Sequence, residues 1–147
     1  GAAILCSSEV GDYLTQFARH HVYSTAMPPS QAVALSHACQ MIQTQEWRRE
    51  KLMELGALYA EQMSGVNGFI DTQTPIKPFV IGEAQAALSI AEELKHKQVW
   101  VTAIRPPTVP TGTARLRITL TANHSQKQVL QLTNSLLKAI ELNNEAQ

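Results

Sequence analysis

The chain has 147 residues, 44% of them apolar and 16% charged, with twelve basic side chains balancing twelve acidic ones. That length fits one domain and suffices to bury about 70% of the unfolded surface without help from disulfides or metal. Net neutrality removes the field that draws proteins to nucleic acid or anionic membranes, and no apolar run reaches the roughly eighteen residues that cross a bilayer.

Two cysteines, Cys6 and Cys39, lie far apart in sequence. They fit a reducing compartment better than a secreted disulfide framework, so the chain is expected to be soluble and cytoplasmic. The charged fraction is below the roughly 25% of an ordinary domain, which suggests that part of the surface is covered by something outside the chain.

In chain order, residues 2–6 form an apolar run with strand character and no preceding turn, and Gly1 reads as a cut end. Ser7 or Ser8 can cap a helix running through Phe17, with Glu9 and Asp12 near its positive end. Then comes Tyr23-Ser24-Thr25-Ala26-Met27-Pro28-Pro29. Two consecutive prolines stop any helix there and put Ser24 and Thr25 on an extended loop with their hydroxyls and amides available. Residues 30–62 contain no proline and a single glycine, Gly56, so they read as helix, with a break expected at the polar Gln43-Thr44-Gln45. In the second of these helices Leu52, Leu55, Leu58 or Tyr59, and Met63 mark the apolar stripe, while Arg48, Arg49, Glu50, Lys51 and Glu54 face solvent.

Beyond Gly65 and Gly68 the pattern changes to short alternations of strand and helix. Residues 78–82 read as a strand. Residues 83–97 read as a helix with Ala84, Ala87, Leu88, Ala91 and Leu94 on one face. Residues 99–104 give a second strand, 105–113 a stiff loop with three prolines, and 114–121 a third strand. A last helix over 125–142 presents Val129, Leu132, Leu136, Leu137 and Ile140 to a core. The expected class is α+β: long helices, then a small antiparallel three-stranded sheet with helices on one face.

The third strand carries the most informative pattern. With a period of two, Ala114, Leu116, Ile118 and Leu120 face the helices, and Arg115, Arg117, Thr119 and Thr121 share the other face. Two guanidinium groups so close on a strand backed by a core suit an anionic partner, since a rigid fork of donors matches a carboxylate or phosphate. Pairing with surface acids is the commoner explanation of such a pattern.

No G-x-S-x-G elbow, P-loop, G-x-G-x-x-G or H-E-x-x-H occurs. His20 and His21 are adjacent, and His37, His96 and His124 lie on different segments, which is not metal-ligand spacing. Cys6 and Cys39 fall on apolar stretches and are expected to be buried, inert thiols. None of the lysines offers the desolvated or electropositive setting that an activated amine needs; Lys77 lies between Pro75 and Pro78 at a strand entrance. The chain has binding groups and no catalytic residue of its own.

The runs Tyr23-Ser24-Thr25-Ala26-Met27-Pro28-Pro29, Val101-Thr102-Ala103-Ile104-Arg105-Pro106-Pro107-Thr108-Val109-Pro110, Gly112-Thr113-Ala114-Arg115-Leu116-Arg117-Ile118 and Thr121-Ala122-Asn123-His124 closely resemble the C-terminal portion of the α-oxoamine synthases. These are pyridoxal-phosphate acyltransferases of the aspartate-aminotransferase fold, and the resemblance spans essentially the whole chain. The Ile104-Arg105-Pro106-Pro107-Thr108-Val109-Pro110 run is similar to the branch that condenses L-alanine with a pimeloyl thioester, with loss of carbon dioxide, in biotin synthesis. A sister synthase such as glycine C-acetyltransferase is the nearer alternative, and an independent carboxylate-binding module the more distant one.

The resemblance implies several roles. Residues 1–44 would be the tail of a large cofactor-binding domain (strand, helix, Pro-Pro loop, helix) and 45–147 a small C-terminal domain. Arg117 matches the arginine that grips the amino-acid α-carboxylate, with Arg115 structural, and Thr108 matches a substrate-contacting position. Ser24 and Thr25 match a loop that reaches the cofactor phosphate of the neighbouring subunit, which implies a homodimer. His124 matches a helix-entry histidine. The Schiff-base lysine, the cofactor-stacking histidine and the ring-nitrogen aspartate would lie upstream of Gly1, so the chain alone is expected to bind little cofactor and to show no synthase activity.

Overall fold

A computed structural model describes residues 3–145. Its elements in chain order are α1 (Ser8–Phe17), α2 (Arg19–Val22), α3 (Pro29–Thr44), α4 (Trp47–Met63), β1 (Ile76–Gly82), α5 (Ala84–His96), β2 (Thr102–Ile104), β3 (Ala114–Thr119) and α6 (Gln126–Glu145). They fall into two compact units, Gly1–Glu46 and Trp47–Gln147.

The first unit holds α1 to α3, none of which contains a buried residue. Pro29 opens α3 at the first helical position, where a missing N–H is harmless and a fixed φ is an advantage. On α1 the rings of Tyr13 and Phe17, one helical turn apart, stack at 4.8 Å. The expected opening strand is not formed. Residues 1 and 2 lie outside the described residues, and 3–6 adopt no regular structure, with Ile4 74% and Leu5 96% exposed. A strand needs a neighbour for its N–H and C=O groups, and no described strand pairs with this run. The expectation of buried thiols also fails: Cys6 and Cys39 are both free and exposed, Cys39 on a helix that buries nothing.

The second unit is a three-stranded antiparallel sheet, order β1-β3-β2, with helices against one face. Alternation along β3 places Ala114, Leu116, Ile118 and the following Leu120 in the core, each nearly or wholly sequestered. They meet Phe79 of β1, Leu55, Tyr59 and Met63 of α4, Ile90 and Leu94 of α5, and Val129, Leu132 and Leu136 of α6. On α4 the stripe runs through Tyr59, with Leu58 half-buried. The α5 stripe is Ala86, Ala87, Ile90 and Leu94, and Leu88, expected inside, is 39% exposed. Two residues from both Ala86 and Ile90, Leu88 points about 200° away from them around the helix.

Two backbone features fix the frame. Gly68 has φ +97°, and a Cβ there would stand 2.1 Å from the Val80 carbonyl, so only glycine admits the close approach at which the Val80 N–H donates to the Gly68 carbonyl at 2.8 Å. At the end of α5, Gln98 takes φ +61°, while the Val99 N–H reaches back to the Leu94 carbonyl and the Gln98 N–H to that of Lys95, both at 2.9 Å. This is a Schellman closure with Val99 and Leu94 as its apolar pair.

Candidate functional site

The solvent face of the sheet is read from its register. Arg117, on the central strand, stands opposite Pro78 of β1 and Thr102 of β2, and Arg115 stands between Val80 and Ile104. Ile76 lies across from Thr119 on the same face. Arg117 is therefore an exposed fork in a surround of Pro78, Val80, Ile104 and Ile76, with the Thr102 and Thr119 hydroxyls as the polar neighbours.

The two arginines differ in what holds them. Arg115 is half-buried and its Nε–H donates to the Thr113 carbonyl at 3.1 Å, which folds the side chain back along its own strand. Arg117 has no hydrogen-bond or ion-pair partner among the described residues. A guanidinium carries five N–H donors, so Arg117 presents a complete fork and Arg115 a partly engaged one.

Thr108 sits on the exposed 105–113 loop, where its backbone N–H donates to the Arg105 carbonyl at 3.0 Å and closes a turn. Its hydroxyl has no partner among the described residues. The backbone thus holds the position while the hydroxyl stays unengaged among the described residues. His124 is engaged locally: its Nδ1 accepts the Thr121 N–H at 3.1 Å, and its own N–H returns to the Thr121 carbonyl at 3.0 Å, making the turn that leads into α6.

In the first unit Ser24 and Thr25 lie on the exposed loop between α2 and α3. The Ser24 hydroxyl donates to the His20 carbonyl, and its N–H points to the His21 carbonyl at 3.3 Å, so it closes the end of α2. Thr25 has no partner among the described residues. A phosphate requires donors. Thr25 fits that need as it stands, whereas Ser24 fits only by giving up its bond to His20.

Lys77 is the residue that sequence reading misplaced. It was expected to lack a desolvated setting, yet it is 5% exposed and donates from Nζ to the Thr72 carbonyl at 2.6 Å. The signal was in the alternation: Lys77 is in phase with Phe79, and in register with Ile118, both on the core face. Gly56 leaves room beside Lys77, since a Cβ there would stand 3.3 Å from the ammonium, closer than an ordinary contact.

The chain belongs to the aminotransferase class I and II family, whose sequence model matches residues 1–136. More particularly, it is 89% identical over 146 residues, 99% of its length, to 8-amino-7-oxononanoate synthase of Vibrio atlanticus, and 61% identical over 141 residues to the enzyme of that name from Vibrio cholerae. The chain spans 36% and 37% of those two proteins. Among solved structures it superposes on 8-amino-7-oxononanoate synthase from Francisella tularensis with a TM-score of 0.77 at 24% identity, covering 96% of this chain and 41% of that one. Serine palmitoyltransferase from Sphingomonas wittichii gives a TM-score of 0.79 at 21% identity over 93% and 35%. Those two likenesses show the fold.

Proposed function

We propose that the chain is the C-terminal region of a pyridoxal-phosphate-dependent acyltransferase that condenses L-alanine with a pimeloyl thioester, with loss of carbon dioxide, to give 8-amino-7-oxononanoate. The observation that carries the reading is the unengaged Arg117 fork, joined to 89% identity with a relative of that name. The cofactor, when bound, supplies an electron sink for cleavage at the α-carbon. The residues of this chain bind and orient. Arg117 takes the amino-acid carboxylate through paired charge-assisted hydrogen bonds, which fixes both the position and the rotation of the substrate. Pro78, Val80 and Ile104 around it offer no competing acceptor side chain. Thr108 adds a hydroxyl from a loop already fixed by its own turn. Thr25, with Ser24 once released from His20, donates to the cofactor phosphate of a neighbouring subunit, so the working unit is a homodimer with shared sites in the cytoplasm. Residues 1–44 belong to the cofactor domain in this reading, and 45–147 form the small domain.

The test is Arg117→Ala in the full-length enzyme. Loss of a charge-assisted fork should lower kcat/KM for L-alanine about 10- to 100-fold, chiefly through KM, with cofactor affinity retained. Equal loss of alanine use and cofactor binding would overturn the role. Parallel assays with glycine and with shorter thioesters decide between this activity and a sister synthase.

A further inference from the structure

On the sheet face opposite Arg117, the Lys77 ammonium has a single acceptor among the described residues, the Thr72 carbonyl. An ammonium has three donors, and lysine is rarely buried this far without a counter-charge. Gly56 and Lys77 share the wall of a cleft of about 510 Å³ between α4 and the loop at 71–75. A glycine inside a helix is costly in propensity, and here its missing side chain opens space beside a cation. Leu52, Met53, Ala57, Ala60 and Pro75 make much of the remaining wall apolar. Arg49, Lys77 and Asp71 are the charged residues of the lining, and Arg49 has an interaction of its own. Thr72 and Thr74 both donate their hydroxyl protons to the Ile76 carbonyl at 3.0 Å, so neither competes with Lys77 as a donor.

We infer that this cleft binds a small aliphatic monocarboxylate, its head on the Lys77 ammonium and its chain along the α4 side of the wall. A phosphate dianion is the poorer match, because the wall is largely apolar and already holds Asp71. Lys77 lies on the face of the sheet opposite Arg117, so the inference does not rest on the role proposed for Arg117.

Equilibrium dialysis of the 147-residue chain against radiolabelled octanoate tests it. Saturable binding is expected, at least tenfold weaker for octanol of the same length and at least tenfold weaker in Lys77→Met, while inorganic phosphate competes poorly. Arg117→Ala should leave octanoate binding unchanged. Equal binding of octanoate and octanol, no saturable binding, or unchanged octanoate affinity in Lys77→Met would overturn the inference. Loss of binding in Arg117→Ala would do the same by moving the carboxylate to the opposite face. The octanol comparison needs no variant, so the inference stays exposed to refutation if Lys77→Met does not fold.

Discussion

Tyr59 is wholly buried and its hydroxyl has no hydrogen-bond partner among the described residues. Burial pushes the phenol above its usual range, so the group stays neutral and its cost is that of a desolvated hydroxyl. The ring itself packs well, tilted 48° to that of Phe69 with centroids 6.0 Å apart. Tyr59→Phe keeps the ring and removes the orphaned oxygen. It is expected to stabilise the fold by about 1 kcal/mol, read as a higher urea midpoint with unchanged slope; a lower midpoint would mean that the hydroxyl has a partner. Lys77 is the counterpart, a buried polar group with one acceptor beside a cleft rather than none in a packed core. Arg117 completes the series, with no partner among the described residues and an open face before it.

Among elements, α5 shows how much a helix end depends on one residue. Gln98 occupies a left-handed position that glycine fills without strain, and for an L side chain this costs about 1 kcal/mol. Gln98→Gly should recover about 0.5–1 kcal/mol, visible in thermal unfolding; a loss would indicate that the side chain makes a contact beyond the cap. The elements themselves were largely legible in the sequence. The break between α3 and α4, the phase of β3 and the stripe of α6 follow from proline, polar runs and periodicity, because those signals are local. On α5 the expected Ala87 and Leu94 are buried and Ala91 packs against the core, whereas Leu88 faces out and Ala86 and Ile90 take the inner positions, because small alanines on both sides of the helix leave the width of the stripe open. The strand expected at 2–6 is absent from its described residues, 3–6, for a different reason. Apolar content marks a segment that can pair, and pairing depends on a neighbour that local pattern does not contain. The same limit hid the site. Alternation placed Arg117 on the open face, but that Arg115 is tied to Thr113 and Arg117 to none of the described residues depends on side-chain direction, and the room beside Lys77 lies at a glycine twenty-one residues earlier, on another element.

For the molecule as a whole, the link between α4 and α6 gives stability a pH dependence. The Glu54 carboxylate accepts from the Gln126 amide across the helix pair and lies 3.1 Å from the Lys51 ammonium. The Gln126 bond, then Lys51, holds its carboxyl below the ordinary 4.5. A folded-state pKa below the unfolded one means that the stabilisation is complete above about pH 4.5 and is lost as pH falls through the lowered value. Because the group is exposed, the effect is small. Glu54→Gln should flatten the acid limb of urea midpoints measured between about pH 6 and pH 3; identical limbs in both proteins would show that the link carries no charge-dependent stability.

The sheet order has a consequence for how the second unit is made. Among the described residues β1 and β2 are the two edges of the sheet, and, apart from an isolated bridge between Phe69 and Phe79, each pairs with β3, which follows them in the chain. As the polypeptide leaves the ribosome, the first two strands lack their ladder partner until residues 114–119 emerge, and the apolar faces of α4 and α5 wait with them. Any translational pause or premature stop before that point would release a nascent chain with every ladder bond of the sheet unmade, the kind of species that chaperones retain and proteases clear.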